Sequence, residues 1–374
     1  MNGISGTPTQ SSLSPTGVTP VPLYIVTGFL GSGKTTLLRR LLRVPGWERS
    51  AIMFNEFGEE SLDHQLIQSG GHDPVVIKSG CVCCTMIEPL RQAFYDLFAR
   101  MKRGERGPFD RILLETSGLS DPAPILSTLR GDHVLRDYVL PRQIVTTVDA
   151  VNAPAQIDKD PDFQKQVALA DLVMVTKQDL VSRQALRRLR QNLVALNPTA
   201  RFVDAGEPFE LPTLLDCPQP VPSIQDETPR RRKASPGVTA DGVKPKTPSH
   251  GSIKSFTLIY DQPIDWSAFA VWLTLLLHKH GEAILRVKGI LNVDDFERPL
   301  VIHGVQHIMH PPVHLEDWPS PDRRSKIVFI VRGIEPDVLR QSLDRFLAWT
   351  ETAAGSLGST TSNESRRSKD FETV

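Results

Sequence analysis

The nonapeptide GFLGSGKTT, Gly28 to Thr36, restricts this chain more than any other feature. It fits G-x-x-x-x-G-K-[ST] and stands between an apolar run, VPLYIVTG, and a helical pattern, KTTLLRRLLRV. A loop of that kind is entered from a strand and left by a helix, which commits the region to α/β architecture. Gly28, Gly31 and Gly33 let the backbone curl so that successive N–H groups face one concavity. That concavity and the helix N-terminus favour a polyphosphate. Lys34 is expected to reach the β- and γ-phosphates and the Thr35 hydroxyl to ligate Mg2+, with Ser32 and Thr36 completing the phosphate loop.

The strand–helix alternation continues beyond the loop. AIMFNEFG, PVVIKSG, RILLETSG, RQIVTTVDA and DLVMVTKQD read as buried strands, with EPLRQAFYDLFARMKRG and RQALRRLRQNLVALN as helices among them. Such alternation predicts a mostly parallel sheet covered on both faces, with ligands beyond the carboxyl ends of its strands. From Cys217 to His250 the chain turns to Pro, Ser, Thr and charge, including TPRRRKASPG, and reads as a linker. Beyond it IKSFTLIYD is a strand and Asp265 the N-cap of WSAFAVWLTLLLHKHG. Trp266, Phe269, Ala270, Leu273, Leu276 and Leu277 share one apolar face of that helix, with Gly281 as its stop. AILRVKGIL, PLVIHGVQHIM and SKIVFIVRG add strands, and a last helix is expected from about Pro336 to Trp349. The expected division is a disordered leader over 1–20, a P-loop nucleotide-binding domain over 21–215 and a flexible linker over 216–250. A small α+β domain over 251–350 and a disordered tail over 351–374 complete it.

Two further segments bear on the nucleotide. In MVTKQDL, Asp179 can accept both the N1–H and the exocyclic amine of guanine, a pair of donors adenine lacks. The Lys177 stem can pack over the purine. Thr176 stands where the usual GTPase pattern NKxD has asparagine. In LLETSGLSDPAP, Glu115 ends an apolar strand and can hold Mg2+ through water. Gly118 lets the backbone approach the γ-phosphate and donate its N–H, which would make the loop from Thr116 to Pro122 responsive to hydrolysis.

Three of the four cysteines lie in SGCVCC, as Cys81, Cys83 and Cys84. A disulfide between neighbours this close is strained, a redox role needs a sulfenate, and a chance cluster has nothing to recommend it. A thiophilic ion such as Zn2+ suits the thiolates better, although two or three ligands leave its shell incomplete. Glu56, Glu59 and His64 of NEFGEESLDH are the candidates to complete it, Glu59 among them as a weak ligand. Few, clustered cysteines point to a reducing, cytoplasmic setting. Equal numbers of basic and acidic residues, 43 each, argue against nucleic-acid or anionic-membrane binding. The N-terminal segment lacks the basic and apolar regions of a secretory signal.

Taken in order, GFLGSGKTT, NEFGEE, SGCVCC, ETSGLSDPAP and TVDAV resemble the CobW-type family of metal-chaperone GTPases, of the SIMIBI class, and the C-terminal part resembles the CobW C-terminal domain. The resemblance implies GTP-dependent binding and transfer of a metal, often zinc and in some relatives cobalt, through Cys81, Cys83 and Cys84. It implies GTP, Mg2+ and Zn2+ as ligands and a client metalloenzyme as partner, with self-association left open. The competing readings are an ATP- or GTP-dependent kinase or biosynthetic enzyme, and a zinc buffer whose nucleotide site is structural. HGVQHIMHPPVH adds His303, His307, His310 and His314, which read equally as a second metal store, a client-docking element or polar decoration of a strand pair.

Overall fold

The computed structural model of the protein describes residues 19–56, 75–78, 87–205, 215, 252–294 and 296–350. Its contacts divide the chain into two units, Met1–Pro220 and Val221–Val374. The expected leader up to residue 18, the cysteine segment, Glu59, His64, Cys217 with the rest of the linker, and the tail all lie outside the described residues.

In the first unit β1 (Val21–Gly28) is flanked on both sides by parallel strands. The others are β2 (Ser50–Glu56), β3 (Val75–Lys78), β4 (Arg111–Thr116), β5 (Val139–Asp149), β6 (Leu172–Thr176) and β7 (Arg201–Asp204). They form one sheet in the order β3-β2-β4-β1-β5-β6-β7, every pairing parallel. The helices are α1 (Lys34–Leu41), α2 (Ile87–Lys102), α3 (Ala123–Gly131), α4 (Leu135–Tyr138), α5 (Ala153–Gln156), α6 (Pro161–Leu169) and α7 (Arg183–Leu196). Alternate side chains of one strand enter different cores, because a strand repeats every two residues. Leu172 and Met174 of β6 join Leu37, Leu38 and Leu41 of α1, whereas Val173 and Val175 join Phe163, Val167, Leu189 and Leu193 of α6 and α7. The apolar stripe expected on α1 is therefore the face that closes one core. The sequence did not announce β7, whose first three residues are only half-buried and whose last, Asp204, is exposed at the sheet edge.

The second unit is an antiparallel sheet under helices. Its main strands are β8 (Ile253–Tyr260), β9 (Ile284–Leu291), β10 (Leu300–Val305) and β13 (Ser325–Arg332), ordered β10-β9-β13-β8. The run PLVIHGVQHIM is broken after β10 by a turn at Gln306, φ 50°, and returns as β11 (Ile308–Met309). A two-residue strand that the sequence did not suggest, β12 (Val313–His314), also pairs with β10. Helix α8 (Trp266–His280) opens where expected, with Asp265 accepting from the N–H groups of Ser267 and Ala268. Its buried face turns slightly from the expected one: Trp272 is buried at 4% exposure, while Trp266 and Ala270 are only half-buried. Gly281 does end the helix, but with φ −58° rather than in the left-handed conformation. The constraint there is space, since a Cβ on Gly281 would stand 2.3 Å from Nδ1 of His307. Phe269, Trp272, Leu273 and Leu277 pack on Val287, Ile302, Ile327 and Phe329 of the sheet, with a last helix, α9 (336–350), contributing Leu339 and Leu343.

Candidate functional site

All strands of the first sheet point their carboxyl ends to one edge, and the polar residues singled out by sequence gather there. The register fixes their neighbours: Val26 lies beside Glu115, Gly28 beside Thr147, and Asn55 beside Thr116. Gly28, Gly31 and Gly33 take φ values of 138°, 70° and 98°, which L side chains rarely adopt. Gly28 is doubly constrained, because a Cβ would meet the carbonyl and hydroxyl oxygens of Thr147 at 2.4 Å. The loop is thus curled by its glycines and seated on β5. Ser32, 1% exposed, shares a 2.7 Å hydroxyl–hydroxyl hydrogen bond with Thr147.

Lys34 opens α1 and donates from Nζ to the carbonyls of Gly28 at 3.0 Å and Phe29 at 3.3 Å, keeping its charge over the curl. Thr35 donates from Oγ1 to Oε1 of Glu115 at 2.8 Å. Glu115 is 3% exposed at the end of β4. A hydroxyl and a carboxylate side by side make an oxygen donor set that suits Mg2+. Thr36 lies one position further along α1 and is exposed.

The TKQD segment reaches the same loop. Thr176 donates to the carbonyls of Ser32 at 2.8 Å and Val148 at 3.2 Å, so its hydroxyl fastens the end of β6 to the loop. Lys177, in a left-handed conformation with φ 53°, donates from Nζ to the Gly31 carbonyl at 2.9 Å and to Asp149 at 2.6 Å. A non-glycine residue is uncommon in that conformation, and here the two hydrogen bonds from Nζ hold it. Asp179 is exposed in the single 3-10 turn that follows, Gln178–Leu180.

Asp149, the last residue of β5, was part of a motif but had no assigned role in the sequence. It is 3% exposed and accepts from Lys177, from the side-chain amide of Asn152 at 2.7 Å and from the Val151 N–H at 2.8 Å. Burial pushes its carboxyl up, but the Lys177 ammonium and the two N–H donors outweigh that and hold it below the ordinary aspartate range.

Gly118 lies against the phosphate loop itself: a Cβ there would stand 2.5 Å from Leu30 Cδ2 and 2.7 Å from the Leu30 nitrogen. Its loop is tied internally by the Ser117–Ser120 hydroxyl pair at 2.5 Å and by the Ser120 N–H to the Ser117 carbonyl at 3.1 Å. On its other side stands Gln166 of α6, which the sequence reading did not single out. The signal available was Asp160–Pro161, an N-cap followed by a first-turn proline, which marks α6 though not what its side chains touch.

Of the metal candidates, Cys81, Cys83, Cys84, Glu59 and His64 fall outside the described residues. Glu56 is the last residue of β2 rather than part of the loop after it. Among the described residues no three His, Cys, Asp or Glu side chains come together as a metal site requires. The four C-terminal histidines divide by what they touch. His303 and His310 face each other with ring centroids 6.5 Å apart, His307 bonds the Leu277 carbonyl at 2.8 Å near the end of α8, and His314 packs on Phe296.

Residues 22–204 match the CobW/HypB/UreG nucleotide-binding domain, and residues 253–347 the cobalamin synthesis protein CobW C-terminal domain. The chain is 30% identical over 320 residues to the zinc chaperone YjiA of Escherichia coli, covering 84% of this chain and 95% of that protein. It is 32% identical over 206 residues to zinc-regulated GTPase metalloprotein activator 1 of Schizosaccharomyces pombe, covering 53% and 49% of the two chains. The crystal structure of the Zn(II)-bound YjiA GTPase from E. coli superposes with a TM-score of 0.64 at 26% identity, over 88% of this chain and 99% of that one.

Proposed function

The chain belongs to the CobW family, and from that premise we propose that it is a GTP-hydrolysing metallochaperone. It takes zinc on the thiolates of Cys81, Cys83 and Cys84 and passes the ion to a client metalloenzyme, with GTP hydrolysis timing the transfer.

Hydrolysis is assigned to the edge where the strands end. The curled loop from Gly28 to Gly33 presents N–H groups to the phosphates, and Lys34 exchanges its carbonyl contacts for phosphate oxygens. Asp179 selects guanine by accepting two adjacent donors, while Thr176 and Lys177 keep that turn fastened to the loop. Thr35 and Glu115 would hold Mg2+, which neutralises charge on the β- and γ-phosphates when bound. The Gly118 N–H is the group placed to sense the γ-phosphate. Cobalt remains the competing cargo, since thiolates accept it as well.

Coupling to the thiolates rests on one observation, the parallel register at the other end of the sheet. Lys78, the last residue of β3, is paired with Glu56 of β2, and β2 is paired with β4. β3 therefore ends at the same edge as the phosphate loop, and Cys81 follows Lys78 by three residues in sequence. Three strand spacings, about 14 Å, separate β3 from β1. Over such a distance a moving loop can change a metal's ligands, and the ion need only bind one nucleotide state more tightly than the other.

The test is GTP hydrolysis by metal-free protein titrated with buffered Zn2+ and Co2+, beside the Cys81/Cys83/Cys84→Ala variant. We expect a metal-dependent change of about fivefold or more, in the range usual for coupled sites, that the variant loses. Turnover indifferent to metal and cysteines would sink the coupling. A larger response to Co2+ at equal free concentration would make cobalt the cargo.

A further inference from the structure

We infer that Gln166 is a positioning residue for GTP hydrolysis, holding the loop from Ser117 to Asp121 against the phosphate loop; this rests on the GTPase reading above. Gln166 is 1% exposed, and its Nε2 donates to two backbone carbonyls of that loop, Gly118 and Ser120, each at 3.1 Å. Its neighbour Lys165 forms an ion pair with Asp121 at the loop's far end. Two adjacent side chains of one helix thus hold both halves of the loop.

The helix that carries them is itself fixed. Asp160 caps its N-terminus by accepting from Asp162 and Phe163, each at 3.0 Å. Asn197, 0% exposed, donates to the carbonyls of Val167, Ala168 and Ala170 at the other end. Thr146 of β5 donates to the Gln166 carbonyl at 2.9 Å. With the helix tied at both ends and in the middle, the loop is the partner that gives way. Gly118 stands between the two constraints, with Leu30 of the phosphate loop on one side and the Gln166 amide on the other.

The amide is set up for one geometry and offers a second. Its Nε2 faces two acceptors, while Oε1 is buried without a hydrogen-bond partner among the described residues. When the loop moves toward a γ-phosphate, an N–H of the loop can turn to Oε1 while Nε2 keeps a carbonyl. Gln166 then guides the loop between two defined positions. Both hydrogen bonds of its side-chain amide are to loop backbone, so the identity of Leu119 is immaterial to them.

The experiment uses the full chain with Mg-GTP, measuring steady-state hydrolysis and the melting temperature of each variant. Gln166→Leu keeps the bulk and removes the donor. Its kcat should fall about tenfold, the worth of two neutral hydrogen bonds, with KM for GTP within about twofold of wild type. Gln166→Glu separates positioning from packing. The carboxylate faces two carbonyl oxygens and holds nothing, whereas the protonated acid again has an O–H to donate. Its kcat relative to wild type should therefore rise as pH is lowered from 8 to 6, a trend a packing role would not produce. Asp121→Asn, which weakens the far tether, should lower kcat by about threefold and combine less than additively with Gln166→Leu. A kcat within twofold of wild type in Gln166→Leu, or a Gln166→Glu pH profile parallel to wild type, would overturn the assignment while leaving the GTPase reading intact. Failure of the wild type to hydrolyse GTP would overturn both.

Discussion

The two units bury different things. In the first, the ends of β1, β2, β4 and β5 enclose Thr27, Asn55, Glu115, Thr116, Thr147 and Asp149, each at most 3% exposed. In the second, the helix-facing side of the sheet is built mainly from apolar residues such as Val287, Leu291, Ile302, Ile327 and Phe329, with Ser325 at its end. Its buried charged groups, Arg286, Lys288 and Lys326, belong to the alternate positions of β9 and β13. Burying a polar group costs free energy unless hydrogen bonds replace those to water. The first unit meets that cost through pairs such as Thr116 to Thr27 at 2.8 Å, between strand ends, and Thr35 of α1 to Glu115 at the end of β4. A concentration of buried polar groups at one edge of a sheet is what a ligand site needs, and an apolar sheet face is what stability needs.

This contrast can be broken, most forcefully in the second unit. Phe329 is 0% exposed and stacks on Phe256 with ring centroids 5.8 Å apart, with Trp272 edge-on to it at 6.3 Å. Phe329→Ala should cost about 3–5 kcal/mol of stability by urea unfolding, with GTP affinity changed less than about twofold. A matching loss of GTP binding would show that the two roles are not separable by unit.

In the first unit a single methyl group should have the opposite consequence. Gly118→Ala drives a Cβ into Leu30, so hydrolysis should fall about a hundredfold, the usual penalty for misplacing a catalytic loop by an ångström. Its melting temperature should stay close to wild type. A variant that melts far earlier, at unchanged rate per folded molecule, would place Gly118 among the stabilising residues instead.

A smaller effect sharpens the comparison, because not all buried polarity in the first unit serves the site. Asp132 accepts from Arg91 at 2.8 Å, from the Tyr95 hydroxyl at 2.7 Å and from the N–H groups of Val134 and Leu135, tying α2 to the start of α4. Burial raises its pKa, but the Leu135 N–H, the Tyr95 hydroxyl, the Val134 N–H and Arg91 prevail and lower it to about 2. A carboxylate with a depressed folded pKa stabilises fully above its unfolded value, 3.8, and loses that contribution as pH falls toward about 2. Asp132→Asn should therefore cost about 1–2 kcal/mol near neutral pH, with the gap from wild type closing below pH 4 in thermal melts. A gap independent of pH would remove the charge from the explanation.

Much of this architecture was legible because it is written locally. The α1 leucines, the Asp265 cap and the glycines around Lys34 act on neighbours a few residues away, where periodicity and turn chemistry operate. Short edge strands were not legible: β7 and β12 are half-buried or exposed, so no apolar alternation announces them. The histidine run shows the same limit. Four histidines within twelve residues look like one cluster, yet a hairpin turn at Gln306 sends His307 to the end of α8 and leaves His303 facing His310.

By itself the sequence determined that this chain builds a glycine-rich loop on a parallel sheet and carries three closely spaced cysteines at Cys81, Cys83 and Cys84. Only the tertiary structure decided which groups support the loop. Ser32 meets Thr147 across 115 residues of chain, Lys177 meets Asp149 across 28, and Gln166 meets Gly118 across 48. The reason is geometric: sheet order decides which distant strands become neighbours, and a polar side chain's role depends on the neighbour it receives.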